Sequence, residues 1–317
     1  MKKHVLFVAI LLNSTLLLAQ GTDSLPKEKI VSINIRGVAI EGSLLSHSAK
    51  EKLVIIIAGS GPTDRNGNSI AGVYSNAYKM LAQELAKNNI ASFRFDKRGI
   101  AKSVVKNFKE KDLSFDDYIN DVVAIYQYMK DSLGFKKIYF AGHSEGSLVG
   151  MIAAEKVKPQ GYISIAGAGR PIDKVIVEQF TQQSPVAGSQ ADSLFSILKT
   201  KNKIDTVPPR MFSIFRPSIQ PYMVSWMKYN PAAEIATLKI PILILQGTCD
   251  IQVKVMDAES LHKGNKKATL VLIDGMTHVL KDAQADCIDK DNKTYHDPSL
   301  PLNTKFVNAI ISFVKSN

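Results

Sequence analysis

The sequence predicts an α/β fold: a mostly parallel sheet with helices on both faces and an insertion of short helices. Apolar runs such as residues 53–58 (LVIIIA) and 240–246 (IPILILQ) have the composition of strands covered on both faces. They alternate with stretches of helical spacing, so the connections are βαβ crossovers that set strands parallel. Between about 171 and 236 the alternation stops, and Pro208, Pro209, Pro217, Pro221 and Pro231 punctuate what reads as a series of short helices. The chain has 317 residues, 45% apolar and 22% charged. That is enough for one large domain or two small ones with a well-buried core, and it excludes disordered and fibrous classes.

The elements follow in order. Residues 31–35 and 38–41 alternate in polarity around Gly37 and read as a half-buried hairpin. The strand 53–58 leads into a Gly/Pro/Asn-rich loop, 59–68. Leu81 and Leu85, four apart, mark a helix, and 90–95 is the next strand. Ser114 caps a helix running to about 133, with Asp117 in a capping-box position. Strand 138–141, helix 148–157 and strand 162–166 precede the irregular segment. Strand 240–246, a helix near 256–262, strand 269–273 and an amphipathic helix around 306–314 complete the chain.

The first residues stand apart. Lys2 and Lys3 precede an apolar run over 5–19, interrupted by Asn13, Ser14 and Thr15. The run is shorter than the ~20 residues a spanning helix needs. It has the charged start and small-residue end of a secretory signal, with cleavage near Ala19 or Gln20. The expected organisation is a signal over 1–20 and one α/β domain over 21–317. Such a chain is exported, periplasmic or secreted, without stable membrane insertion after cleavage. Lys plus Arg number 40 against 29 Asp plus Glu, a net charge of +11, and the signal takes two Lys and no acid with it. No basic motif interleaved with aromatics accompanies that charge, so no nucleic-acid partner is expected.

Residues that carry chemistry sit, in parallel sheets, on loops at the carboxyl ends of strands. Gly142-His143-Ser144-Glu145-Gly146 follows a strand and opens a helix, the setting of a nucleophile elbow. Side chains two residues either side of Ser144 would collide, which Gly142 and Gly146 avoid. The helix start aims the Glu145 N–H at a developing oxyanion. Serine needs a base, and the base needs orienting. Of six histidines, His4 lies in the signal and His47 near the hairpin, His143 points its side chain away from that of Ser144, and His262 reads as a helix-face residue. His278 follows the strand 269–273 and is the expected base, with His296 the fallback. Asp250, at the end of the strand 240–246, is the expected acid; Asp257, Glu259 and Asp274 read as helix-face or turn residues. The Ser60 N–H, or that of Gly61, is the expected second oxyanion donor. Asp64 to Asn68 fails both the P-loop and the EF-hand patterns and reads as a structural loop braced by Asp64 and Arg65. The stretch 95–99 reads as a braced turn beside the site. No metal or organic cofactor is called for.

The motifs AGSGPTDRNGN, RFDKRGIAKS, GHSEGS, GTCDIQV and MTHVLK, in that order, resemble the α/β-hydrolase superfamily. More narrowly, they are similar to bacterial esterases of the serine-aminopeptidase-like group with a helical cap, over roughly 30–317. The resemblance implies the α/β-hydrolase fold, Ser144, Asp250 and His278 as a catalytic triad, and Ser60 with Glu145 as the oxyanion hole. One departure is that Ala58-Gly59 stands where His-Gly is usual, which disfavours lipase-type chemistry. Residues 171–236 are then the cap. Its Tyr222, Trp226 and Tyr229 recur at helical spacing with Met223 and Met227 beside them. That stripe reads either as cap-to-core packing or as an acyl-binding wall of Met223, Trp226 and Met227.

The implied function is an exported serine hydrolase acting on small-molecule carboxylic esters through an acyl-enzyme. The alternatives are a short-peptide serine peptidase or aminopeptidase, with Glu178 or Asp192 of the cap pairing the substrate amine, and a non-catalytic binding protein on the same fold. Cys249 precedes the expected acid and Cys287 follows the expected base by nine residues. On loops that this fold brings together, and in an oxidising compartment, the two are expected to pair.

Overall fold

The computed structural model describes residues 25–283, 287 and 293–317; the signal expected over 1–20 lies outside the described residues. The chain opens with β1 (Lys29–Ile35), β2 (Val38–Leu45) and β3 (Lys52–Ile57), then a two-residue ladder of β4 (Asn68–Ser69) and β5 (Val73–Tyr74). Next come α1 (Ala77–Lys87), β6 (Ala91–Phe95), α2 (Phe115–Gln127), β7 (Lys137–His143), α3 (Glu145–Val157) and β8 (Gly161–Ile165). An insertion holds α4 (Ile172–Gln183), α5 (Pro185–Lys201), α6 (Phe212–Phe215), α7 (Gln220–Trp226) and α8 (Pro231–Thr237). The chain closes with β9 (Ile242–Gly247), α9 (Val255–Gly264), β10 (Thr269–Ile273), α10 (Lys293–His296) and α11 (Thr304–Ser316).

Among the described residues, eight strands form one sheet in the order β1-β2-β6-β3-β7-β8-β9-β10. β1 and β2 pair antiparallel at one edge, β2 joins β6 antiparallel, and the remaining pairs are parallel. The all-apolar runs have a direct explanation here. On β3, Leu53, Ile55 and Ile57 face the core shared with α2 and α3, while Val54 and Ile56, with Ala58 just beyond the strand, face the core shared with α1 and α11. A strand covered on both sides has no solvent face for polar residues to occupy.

Helix starts are set locally. The Ser114 N–H donates to Asp117 Oδ2 at 2.9 Å and fixes the first turn of α2. That helix ends at Gln127 and continues as a π turn over Tyr128–Ser132, so the reading to about 133 holds only with a change of winding.

The insertion departs from the sequence reading. Instead of short helices throughout, α4 and α5 run for 12 and 17 residues, and the shorter pieces come only after 208. Pro185 sits in the first turn of α5, where its missing N–H costs nothing. The buried face of α5 includes Ala187, Gly188 and Ala191 as well as Leu194, Phe195 and Leu198, so small residues dilute its apolar periodicity. The insertion rests on α2 through α7. Phe115 stacks on Trp226 with ring centroids 5.3 Å apart and meets Tyr222 and Tyr229, and the Phe115 N–H donates to Ser225 Oγ at 2.8 Å.

The expected braces are present. Arg65 is buried, donates through Nη2 to Asp96 Oδ2 at 2.6 Å and to Glu41 Oε1 at 2.5 Å, and its N–H bonds Asp96 Oδ1 at 2.7 Å. Asp64 Oδ1 accepts from the Asn66 and Asn68 N–H groups at 2.8 and 2.9 Å, so its carboxylate closes its own loop.

Cys249 and Cys287 are joined in a disulfide spanning 38 residues. Closing a loop of that length restricts the unfolded chain by about 4 kcal/mol in the chain-entropy account. The variant Cys249→Ser/Cys287→Ser is expected to lose up to that much unfolding free energy in denaturant melts. Protein purified from an oxidising compartment is expected to show no titratable thiol before reduction, and two thiols there would contradict the pairing.

Candidate active site

The backbone is tightly crowded at the end of β7. A Cβ on Gly142 would stand 2.2 Å from the Gly146 carbonyl oxygen, and one on Gly146 would stand 2.4 Å from that of Ile57. Only glycine fits at either position, and the turn between them forces Ser144 to φ 54° and ψ −120°. Such backbone costs ~1–3 kcal/mol and persists only where its surroundings impose it. Here the Ser144 N–H donates to Ile165 O at 2.9 Å and Ser147 N–H to Ser144 O at 3.0 Å, locking the turn between β8 and α3. Glu145 is the first residue of α3, so its N–H is one of those a helix leaves without an intrahelical partner.

His278, on the loop after β10, and Asp250, on the loop after β9, are brought together. His278 Nδ1 is 2.8 Å from Asp250 Oδ2, and both side chains are buried. Asp250 also accepts from the Gln252 and Val253 N–H groups at 2.8 and 2.9 Å and from Gln246 Nε2 at 3.2 Å. Burial alone would oppose its ionisation. The adjoining His278 and these hydrogen bonds outweigh burial and hold the carboxyl below its ordinary value. His278 and Ser144 line one cavity of about 270 Å³. The fallback His296 lies on α10, and His262 is half-buried on α9. Asp257 lies on a helix, α9, and is buried there: it accepts from Arg170 Nε at 2.9 Å and Nη2 at 2.8 Å and from the Gly169 N–H at 3.1 Å. Asp274 accepts from Thr248 Oγ1 at 3.0 Å, in a turn.

Three supporting residues escaped the sequence reading. Gln246 ends an otherwise apolar strand and bonds Asp250, the Val253 carbonyl at 3.0 Å and the Gly247 carbonyl at 3.2 Å; a lone polar residue closing IPILIL was its only signal. The His143 side chain leaves Ser144, as the sequence implies, yet it links both walls of the site. Its Nε2 is 2.9 Å from the His278 carbonyl and its Nδ1 2.7 Å from Tyr78 Oη. A carbonyl only accepts, so Nε2 carries the proton, Nδ1 accepts, and Tyr78 O–H donates. Tyr78 Oη in turn accepts the Gly59 N–H at 3.2 Å. Burial first, and then the charge of His278, depress the His143 pKa to about 3. Lys97 is the third: buried, its Nζ reaches Gly59 O at 2.6 Å and Glu145 Oε1 at 3.2 Å.

Ser60 and Ser144 line two cavities, the one already described and a second of about 160 Å³ beneath the insertion. Met223 and Trp226 line the second with Leu148, Ile172 and Val175. Met227 is half-buried and packs on the hydrophobic cluster of the insertion and core, as do Tyr222, Tyr229 and Trp226, so the aromatic stripe serves packing and cavity wall together. Of the two acids offered for an amine, Glu178 is ion-paired with Arg170 at 2.5 Å, and Asp192 is exposed with Lys174 Nζ at 3.5 Å.

The serine aminopeptidase S33 family model matches residues 71–282, a span that includes Ser144, Asp250 and His278. Esterase EstD of Thermotoga maritima is 25% identical over 260 residues, covering 80% of this chain and 60% of its own length. The chain thus spans about 60% of that curated relative. Among solved structures, ferulic acid-bound Est1E from Butyrivibrio proteoclasticus superposes with a TM-score of 0.58 at 19% identity, covering 90% of this chain and 96% of that one. The Pyrococcus furiosus esterase PF2001 does so with a TM-score of 0.58 at 18% identity, over 92% and 91%. These structures share the fold of this chain.

The buried His143 makes stability depend on pH. In the unfolded chain an imidazole takes up a proton below about 6.5, whereas His143 does so only near 3. Between those values the unfolded state binds more protons, so this contribution is complete above pH 6.5 and is lost as pH falls toward 3. From pH 7 to 4.5 the loss from this residue is about 2–3 kcal/mol. His143→Gln, which does not titrate, is expected to lack it, as equilibrium unfolding of both proteins at the two pH values would show.

Proposed function

The chain belongs to the serine aminopeptidase S33 family, and from that premise we propose that it is an exported serine hydrolase cleaving carboxylic esters through an acyl-enzyme. The observation that carries this reading is the His278–Asp250 pair at 2.8 Å, on a cavity shared with a serine at a strained strand-to-helix turn. Ser144 Oγ attacks the ester carbonyl carbon as its proton passes to His278 Nε2. Asp250 stays ionised, holds Nδ1–H and stabilises the imidazolium. The Ser60 and Glu145 N–H groups receive the oxyanion. The tetrahedral intermediate collapses, the C–O bond to the alcohol breaks, and His278 returns the proton to the departing oxygen. Water then attacks the acyl-enzyme by the same route and releases the acid and free Ser144.

The two cavities divide the substrate. The leaving alcohol takes its proton from His278 and so departs through the larger cavity, which His278 lines. The acyl group then lies under the cap, against Leu148, Val175, Met223 and Trp226. An apolar cavity of about 150 Å³ holds a benzene ring, so acyl groups up to about six carbons fit there. The family name raises peptide hydrolysis as a second reading. An aminopeptidase needs an anion for the substrate's amine, and Glu178 is already paired with Arg170, which favours the ester. Export is supported by Lys2, Lys3 and the short apolar run that follows, and by a disulfide suited to an oxidising compartment.

Rates on acetyl, butyryl and octanoyl esters beside an aminoacyl amide test the proposal. Butyryl turnover is expected to exceed octanoyl, with the amide slowest, and amide turnover above ester turnover would replace the esterase by the peptidase. Ser144→Ala and Asp250→Asn are each expected to lower kcat by about 10⁴-fold or more without loss of the thermal transition.

A further inference from the structure

Lys97 is a charged residue where charge is rarely buried: its side chain is 3% exposed, between the loop after β3 and the start of α3. Its ammonium has three neighbours: Gly59 O at 2.6 Å, Glu145 Oε1 at 3.2 Å and the Tyr118 ring, with its centroid 4.9 Å away. Were Lys97 only the counterion of Glu145, the carboxylate would be its nearest partner. The nearest is instead a backbone carbonyl of the loop that carries Ser60. We propose that Lys97 is the positioning residue of the oxyanion hole, fixing the orientation of both donor amides at once. This rests on the esterase reading above.

The argument is one of peptide geometry. Among the described residues there is no cis peptide bond. Gly59 C=O and Ser60 N–H therefore point in opposite directions within one rigid plane. Holding the carbonyl toward Lys97 turns the Ser60 N–H the other way, and Ser60 lines both cavities with Ser144. The charge-assisted bond also polarises that peptide and makes its N–H a stronger donor. Through Glu145 the same ammonium holds the first residue of α3, whose N–H is the second donor. Gly59 is gripped on its other side by Tyr78, so neither end of the residue is left to rotate.

Lys97→Gln tests this by the division between kcat and KM. Deleting an oxyanion donor outright costs about 10²–10³ in kcat, so misorienting one is expected to cost about 10- to 100-fold, with KM within about threefold. Affinity for a trifluoromethyl ketone, which forms a tetrahedral adduct on the serine, is expected to fall in parallel with kcat/KM. Thermal melts establish folding. The double variant Lys97→Met/Glu145→Gln leaves no buried carboxylate unpaired and is expected to show the same pattern should Lys97→Gln not fold. Folded variants with kcat within about threefold of the parent, or with the loss in KM and ketone affinity unchanged, overturn the proposal. An unmodified protein inactive on every ester would refute the esterase reading itself, whereas an active one matched by its folded variants refutes the role of Lys97 alone.

Discussion

The crossing of β7 into α3 against the end of β3 is the constraint on which the rest of the structure depends. At that point the backbone at Gly146 approaches the carbonyls of Ile57 and Ala58 so closely that no side chain fits between them. Two consequences follow from one contact. Ser144 is forced into a backbone conformation that side-chain-bearing residues avoid, and so is lifted out at the sheet's carboxyl edge. The loop beginning at Gly59 is also brought against the same turn, where a Cβ on Gly59 would meet Ser144 Cβ at 3.2 Å. Ser144 and the loop that carries Ser60 are therefore positioned by the sheet rather than by a flexible connection.

Around that crossing, polar groups are buried in sets that satisfy one another. Asp96, Lys97 and Arg98 leave one turn in three directions: Asp96 to Arg65 of the loop after β3, Lys97 to Gly59 and Glu145, and Arg98 to Asp121 of α2. Buried ion pairs of this kind add little net stability, because desolvation offsets most of their attraction. What they supply is geometry, since each pair tolerates few arrangements once water is excluded. The chain from Gly59 through Tyr78 and His143 to the His278 carbonyl does the same with neutral groups. It works because burial keeps His143 uncharged, so one nitrogen stays a donor and the other an acceptor.

Much of this was legible in the sequence, for physical reasons. Strands such as 53–58 announce themselves because a doubly covered strand has no polar face, and the elbow does so because its two glycines answer a local steric demand. Strand-end position, a rule of topology, singles out Asp250 and His278, which the structure brings within 2.8 Å, and Ser60, which shares two cavities with Ser144. The brace between Arg65 and Asp96 was anticipated only as a pair of turns. What stayed hidden depends on distant parts of the chain. Nothing near His143 indicates a bond to residue 278, and nothing near Lys97 indicates a carbonyl 38 positions earlier. The long helix α5 was obscured because small residues on its buried face weaken the periodic signal.

The central claim is that Ser144 is the activated nucleophile of an Asp250–His278 pair. Reaction with a fluorophosphonate, followed by peptide mapping, tests it most directly, because phosphonylation requires a serine whose proton is being removed. The account predicts a single adduct, on Ser144, absent in Ser144→Ala and formed far more slowly in Asp250→Asn. A folded protein that forms no adduct, or one labelled at another serine, would contradict it.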